Sequence, residues 1–233
     1  MSGKIPQIVE ALADKVCLKQ DVYSNTLELF AKIKAAVKLI TAEIHADDGY
    51  DHSKVTVEML DVSQFEFQLK IGSDLIAFIM QTNVFAFPSS HDIFKQKYIK
   101  QNKERAYFGQ VMIYNFLADS IKYNRVQDVG YLIERIFVNI DNHFYVEGLS
   151  NLNYAHLDVS KNELTDEHLR DLIDDAILLS INTDLVMSTF TENFKLTIEQ
   201  KQINRSVTLG TKLGFQMSKE RKSPPIQQLG IRK

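Results

Sequence analysis

Two histidines and two aspartates at residues 45–52 are the side chains in this chain that are best suited to metal chemistry. His45, Asp48 and Asp51 are separated by two residues each, and His52 follows directly. Imidazole and carboxylate groups together bind zinc, manganese or iron, so this spacing predicts the site of a metal-dependent hydrolase. Aspartate and glycine also favour tight turns, and the alternative interpretation is an exposed polar turn after a helix.

Motifs of nucleophilic or nucleotide-dependent catalysis do not occur in the sequence. It lacks the Gly-x-Ser-x-Gly elbow, the Gly-x-Gly-x-x-Gly fingerprint and the Gly-x-x-x-x-Gly-Lys-Ser/Thr phosphate loop. Cys17, the single cysteine, falls in a predicted helix, where we expect a small, buried and inert thiol. We therefore predict no catalytic residue and no cofactor, although catalysis by scattered residues stays open.

Charge is segregated along the chain. Residues 95–105 and 201–233 are basic, whereas residues 158–184 are acidic. The basic segments predict contact with phosphate groups or an acidic partner, and aromatic residues at 94, 98, 107 and 108 suit stacking on single-stranded nucleic acid. The alternative is a solvated loop and tail, with the acidic helix or a neighbouring subunit as their partner. The candidate binding residues are Lys95, Lys97, Lys100, Lys103, Arg105, Lys219, Arg221 and Lys222.

Helical periodicity marks both sides of the chain's middle. Pro6 suits the first turn of a helix through Val16, and a second helix shows an apolar stripe from Val22 to its end near Ala46. Thr165 is a predicted N-cap, followed by acidic residues that suit the helix dipole. This pattern breaks near residue 182 and restarts through Phe194, which predicts one or two C-terminal helices.

An alternating pattern between the helices predicts strands. Residues 65–71 alternate apolar and polar side chains, and Gly72-Ser73 suits a two-residue turn before an apolar run from Leu75. Residues 91–105 interrupt the sheet, and a helical turn is expected there. Further strands are predicted at residues 55–59, 107–117, 121–126, 129–140 and 144–146, with a hairpin loop at residues 141–143. Residues 84–87 either continue the strand that begins at Leu75 or form a short strand of their own. Short connections of this kind favour antiparallel neighbours.

Composition places the chain among ordinary globular proteins. The 233 residues are 45% hydrophobic and 24% charged, with a net charge of −3. No apolar run approaches the roughly 20 residues of a membrane helix, and Met1–Ala13 lacks the layout of a signal peptide. With one thiol and no internal disulfide, we expect a cytoplasmic protein without a membrane partner.

These observations predict an α+β fold: an antiparallel meander of six or seven strands, two N-terminal helices, and one or two long C-terminal helices. Residues 1–204 would form a single domain and residues 205–233 a basic tail with glycine and proline. We expect a non-enzymatic binding or assembly protein that acts through its sheet edge and charged segments, by self-association or with a protein partner. The alternatives are a nucleic-acid-associated protein and the metal-dependent hydrolase.

Overall fold

The structure of the protein, a computed structural model, describes residues 3–148, 158–161, 163, 165–187 and 210–212. Residues 185–187 and 210–212 are described by their backbone alone. The fold is α+β, with a six-stranded antiparallel sheet and a long N-terminal helix, as the sequence predicts.

The N-terminal helical backbone runs from Ile5 to Ala46 without a loop. It consists of α1 (Ile5–Ala11), a π-helical turn (Leu12–Val16) and α2 (Cys17–Ala46), and Pro6 lies in the first turn, where a missing N–H costs no hydrogen bond. The prediction of two separate N-terminal helices is therefore matched only in part. Cys17 is exposed, so the expectation of a buried thiol is wrong. The buried side of α2 carries Leu18, Val22, Thr26, Leu29, Phe30, Ile33, Val37 and Ile40.

Six strands follow one another in the sheet in chain order, each antiparallel to the next. Ile71 pairs with Asp74, so Gly72-Ser73 forms the predicted two-residue turn, and the φ of +57° at Gly72 explains the glycine. The strands are β1 (Val57–Ser63), β2 (Glu66–Ile71), β3 (Asp74–Ala86), β4 (Tyr107–Leu117), β5 (Tyr131–Val138) and β6 (Phe144–Gly148).

A helical insert separates β3 from β4. It contains a 3₁₀ turn (Asp92–Lys95), helix α3 (Lys97–Gln101) and a second 3₁₀ turn (Lys103–Ala106). We call residues 92–106 the basic insert. The interruption of the sheet here agrees with the sequence-based expectation.

The segment after β4 corrects one predicted strand. Residues 121–126 are not extended, because helix α4 (Ala118–Lys122) occupies the start of this segment and hydrogen-bonded turns follow it. Asn124 adopts a left-handed conformation with φ of 49°, which asparagine tolerates better than most residues and which ends the helix. The run of Ile121, Tyr123 and Val126 that predicted the strand is exposed.

Helix α5 (Asp166–Ile181) begins at the predicted cap, where the Thr165 side chain accepts a 3.2 Å hydrogen bond from the backbone N–H of His168. Its predicted continuation is wrong at residues 185–187, since β7 (Leu185–Met187) pairs there with β8 (Gly210–Lys212). Phe190, Phe194 and nearly all of the predicted tail lie outside the described residues.

The main hydrophobic core fills the space between one face of the sheet and helices α2 and α5. Phe137 and Tyr145, which alternate with core residues along β5 and β6, point to the opposite face and meet the basic insert there. This second cluster contains Ile93, Ile99, Ala106, Phe108, Phe137, Tyr145 and Val159.

Candidate functional site

Strand β1 lies at one of the two edges of the sheet, with β2 on one side and no described strand on the other; β6 lies at the opposite edge. The Gly72 N–H donates a 2.8 Å hydrogen bond to the Thr56 carbonyl oxygen, which makes these two residues a hydrogen-bonded pair. Hydrogen-bonded and non-bonded pairs alternate in antiparallel sheets. The backbone groups of Val57, Met59 and Asp61 therefore point away from β2, towards the open edge.

Side chains from the end of α2 and from its connection to β1 cover the first of these outward residues. The Tyr50 hydroxyl accepts a 3.1 Å hydrogen bond from the Val57 N–H, and His45 Nε2 lies 2.9 Å from the Val57 carbonyl oxygen. The Tyr50 hydroxyl also donates to the Val55 carbonyl oxygen at 2.7 Å. The start of the β1 edge is thus closed by side chains of this chain, whereas no hydrogen bond from a described residue covers the outward backbone groups of Met59 and Asp61.

The predicted metal ligands lie at this closed start of the edge. His45, Tyr50 and His52 pack ring against ring, with centroids 4.1 to 5.6 Å apart. The Asp51 carboxylate accepts hydrogen bonds from Ser53 and pairs with Lys54 at 3.0 Å, while Asp48 is exposed.

The bonds to Ser53 and Lys54 hold the pKa of Asp51 below its usual value. Across the part of the chain that the structure describes, no three His, Cys, Asp or Glu side chains are grouped to hold a metal ion. The metal site remains a prediction of the sequence.

The rest of the β1 edge combines open backbone groups with exposed apolar side chains. Leu60 and Val62 are 42% and 52% exposed and lie on the sheet face opposite the main core. The Asp61 carboxylate on the other face pairs with Lys34 of α2 at 2.7 Å. Natural edges are usually guarded by lysine, proline or a bulge, and here a register shift occurs only at Asp61/Ser63, the end of the strand.

Arg105, the one arginine among the predicted binding residues of the insert, is committed to contacts within the chain. Its Nε donates a 2.7 Å hydrogen bond to Asp141, and its guanidinium lies 4.3 Å from the centroid of the Tyr98 ring. Tyr98 also donates to Asp141, accepts from Asn139 at 3.1 Å and stacks on His143. Burial, followed by the hydrogen bond to Asp141 and the charge of its carboxylate, raises the pKa of Tyr98 to about 12. These contacts fasten the basic insert to the loop between β5 and β6.

The lysines of the insert remain on the surface. Lys97, Lys100 and Lys103 are exposed, and Lys95 is exposed beside Asp92 at 2.5 Å. Three of the four aromatic residues expected to stack on bases pack inward: Phe108 is fully buried, and Phe94 and Tyr98 pack against the second cluster. The fourth, Tyr107, is half-buried. Lys219, Arg221 and Lys222 lie outside the described residues.

A group that the sequence did not single out lies where the insert meets β5 and β6. His91 Nε2 lies 3.4 Å from a Glu147 carboxylate oxygen, and Arg135 pairs with the same carboxylate. His91 Nδ1 accepts a 3.3 Å hydrogen bond from the Ile93 N–H, so both ring nitrogens have partners. Burial, with a smaller effect of Glu147, raises the pKa of Tyr145, which lines a cleft of about 560 Å³ together with His91 and Ile93.

His91, Arg135 and Glu147 are 12 residues apart or more along the chain, which is why spacing could not reveal them. Their only sequence signal is the presence of charged residues, Arg135 and Glu147, in mainly apolar strands. Because both nitrogens of His91 are engaged, the arrangement holds the insert on the sheet and leaves no free imidazole nitrogen for a base.

No protein-family model matches the chain, and no curated protein or solved structure is significantly similar to it. None of the described helices combines the length and the apolar character needed to cross a bilayer.

Proposed function

We propose that the protein is a cytoplasmic, non-enzymatic binding or assembly protein whose principal site is the open edge of β1. The observation that carries the proposal is the contrast within this strand. Side chains of the same chain cover the backbone groups of Val57, whereas those of Met59 and Asp61 face outward with no described strand beside them.

A partner in extended conformation fits this edge. It would exchange backbone hydrogen bonds with Met59 and Asp61, which supply affinity with little dependence on sequence. Its side chains would alternate between the two faces of the sheet, and those on the far face would meet Leu60 and Val62. This part of the partner would therefore be apolar, and the partner residues between would be polar, near Lys34 and Asp61.

One feature supports the binding role, and a second supports the cytoplasmic location. The polar groups near the clefts, Arg105 and His91 among them, are engaged in bonds that join the insert to the sheet. The thiol of Cys17 is exposed and free, which suits a reducing compartment.

A proline substitution at Asp61 tests the proposal because the backbone N–H of this residue points towards the open edge, and proline has no N–H. In Asp61→Pro an outward N–H is lost without removing a hydrogen bond to β2, so the sheet should keep its stability while the partner strand loses a bond. Asp61→Ala is the matched control, since it also loses the ion pair with Lys34 but keeps the N–H.

The two variants serve as baits for partners in a cell extract, compared by quantitative mass spectrometry. Proteins retained by the wild type and Asp61→Ala but lost by Asp61→Pro are the expected result. Equal retention by all three chains would refute the edge as the site.

A second candidate is an association with nucleic acid through the basic insert. Four exposed lysines on one short segment favour it, because exposed lysines contact backbone phosphates without reading the sequence. Base stacking is not part of this candidate, since the aromatic residues of the insert pack inward.

A further inference from the structure

The first helical turns of the chain carry an apolar stripe that no other described part of the chain covers. Helix α1 and the π turn contain no buried residue. The exposed apolar residues form one stripe at helical spacing, Ile5, Ile8, Val9, Leu12 and Val16, with exposed fractions between 42% and 65%.

The π turn at Leu12–Val16 explains why this stripe does not join the core-facing side of α2. A π turn holds about one residue more than an α turn, which rotates everything before it by roughly 100° around the helix axis. Leu12 and Val16, four residues apart, stay on one side of such a turn. The stripe is therefore continuous, and it faces another direction than Val22 and the buried residues of α2.

The charges around the stripe favour a protein surface over a lipid surface as its partner. Residues 4–21 contain Lys4, Lys15 and Lys19 against Glu10, Asp14 and Asp21, which makes this stretch neutral. Helices that lie on membranes carry an excess of lysine and arginine on their polar face. A second helix with mixed charges is the better match for this one.

We infer that two copies of this chain pair through residues 5–16 in antiparallel orientation. Ile5, Val9, Leu12 and Val16 are spaced by four, three and four residues, which is the alternation of a coiled-coil seam. In an antiparallel pair centred between residues 10 and 11, Val9 faces Leu12 of the second copy and Ile5 faces its Val16. Every seam residue then meets an apolar partner.

Lys19 decides between the two orientations. It occupies the next seam position after Val16, so a parallel pair would set Lys19 against Lys19 of the second copy. In the antiparallel pair the seam ends where Ile5 meets Val16, and Lys19 lies beyond it. The stripe thus fits a second copy of itself in one orientation only.

This inference deepens the proposed assembly role, on which it rests for its biological sense, but it uses a different surface from the β1 edge. The two are separated experimentally because Asp61→Pro leaves the stripe intact. If the chain does not dimerise but still binds partners through the β1 edge, only this inference is refuted. If it dimerises through the stripe but binds no partner through the β1 edge, only the proposed function is refuted.

The first test is sedimentation analysis of the full chain and of charge variants of the helix. Val9→Asp and Leu12→Asp place a carboxylate in the seam and should raise the dimer dissociation constant at least about 100-fold, the effect of losing a central interface residue. Gln7→Asp is the matched control, with the same added charge on an exposed residue of the same helix outside the stripe. It should change the constant by less than about threefold.

A mixing experiment tests the orientation. Val9→Lys and Leu12→Glu should each weaken the homodimer, and mixing the two should restore a dimer that contains one chain of each. Only in the antiparallel pair does Lys at 9 meet Glu at 12 of the other chain. A parallel pair would leave both charges against apolar residues and would not be rescued.

Three outcomes would overturn the inference. The wild type could be monomeric at concentrations of about 100 μM, where even a weak pair of this kind forms. The seam variants and Gln7→Asp could behave alike, which would place any dimer interface elsewhere. A monomer that binds phosphatidylglycerol vesicles and loses that binding in Val9→Asp would assign the stripe to a membrane surface. Far-ultraviolet circular dichroism verifies that each variant is folded.

Discussion

The phenolic hydroxyl of Tyr98 donates a 2.7 Å hydrogen bond to the carboxylate of Asp141, 43 residues further along the chain. Arg105 Nε donates to the same carboxylate oxygen at the same distance. One aspartate in the β5–β6 loop therefore fixes both α3 and the 3₁₀ turn that follows it. These hydrogen bonds hold the backbone of the basic insert in place, so its exposed lysines project from an ordered segment.

Removing this hydroxyl should loosen the insert without unfolding the sheet. Tyr98→Phe deletes the donor to Asp141 and the acceptor for Asn139 and keeps the ring that stacks on His143. A hydrogen bond to a charged group contributes about 1.5–3 kcal/mol, so we expect a loss of about 2 kcal/mol in the free energy of unfolding by urea. An unchanged unfolding midpoint would show that the bond contributes nothing in solution.

The same phenol should make stability fall at high pH. The pKa of Tyr98 is raised to about 12, whereas a tyrosine in an unfolded chain has a pKa of about 10. The unfolded state therefore loses its proton first, and the stability contribution is complete below pH 10 and lost as the pH rises towards 12. Urea midpoints measured across this range should fall more steeply for the wild type than for Tyr98→Phe. Parallel curves would contradict the assignment.

The ion pairs that join α5 to α2 should act at the opposite end of the pH scale. Arg170 donates to Glu43 at 2.6 Å, and this hydrogen bond holds the pKa of Glu43 below its usual value. The resulting stability is present above the pKa of an unfolded glutamate and is lost as the pH falls through the lower, folded value. In Arg170→Met the pKa of Glu43, followed by NMR, should return towards its usual value. A Glu43 pKa that stays low would assign the shift to another group.

Gly109 of β4 should tolerate no side chain, because α2 lies directly on it. A Cβ atom added there would lie 1.6 Å from Thr26 Oγ1 and 2.7 Å from Thr26 Cβ. Overpacking costs about 1–3 kcal/mol, and we expect Gly109→Ala to destabilise the fold by at least about 2 kcal/mol. Thr26→Gly removes both contacts, so the double variant should be more stable than the sum of the single effects predicts. If the effects of the two substitutions on the free energy of unfolding are strictly additive, α2 and β4 do not contact each other at Thr26 and Gly109.

Charge reversal of the insert tests the second candidate function. Lys97→Glu, Lys100→Glu and Lys103→Glu together should weaken binding of single-stranded oligonucleotides and flatten its dependence on salt by about two units of the log–log slope. The control reverses three exposed lysines elsewhere, Lys38, Lys54 and Lys122, for the same net charge. If both triple variants lose oligonucleotide binding to the same extent, the effect is due to the net charge of the protein and not to the basic insert.

Local patterns predicted the local parts of this fold. The alternation at residues 65–71 and the Gly72-Ser73 turn correspond to β2 and its hairpin, and the Thr165 cap begins α5. The segment at residues 121–126 was wrongly predicted to be a strand because its apolar residues are exposed. Alternating apolar residues indicate a strand only where one face of that strand is buried. The sequence predicted two separate N-terminal helices, whereas a π turn joins them near residue 16 without a loop. The spacing of apolar residues in a helix does not reveal such a turn.

The candidate sites were less predictable because their parts come from distant positions. Charge density correctly marked exposed lysines at 97–103, but it could not show that Arg105 is used by Asp141, 36 residues away. Likewise, the spacing of His45 and His52 indicated ligands, whereas the structure places His45 against the backbone of Val57. Which backbone groups of β1 point outward depends on its pairing register with β2, and the sequence of one strand does not determine that register.

The most direct test of the β1 edge as the binding site is amide hydrogen exchange at this edge, with and without a partner recovered with the wild-type bait. If the edge binds the partner, the outward amides of Met59 and Asp61 should exchange rapidly in the free protein and slow at least tenfold in the complex. The amide of Leu60, already bonded to β2 by the alternation of the ladder, should change little. Unchanged exchange at Met59 and Asp61 in a saturated complex would contradict the claim that the β1 edge is the binding site.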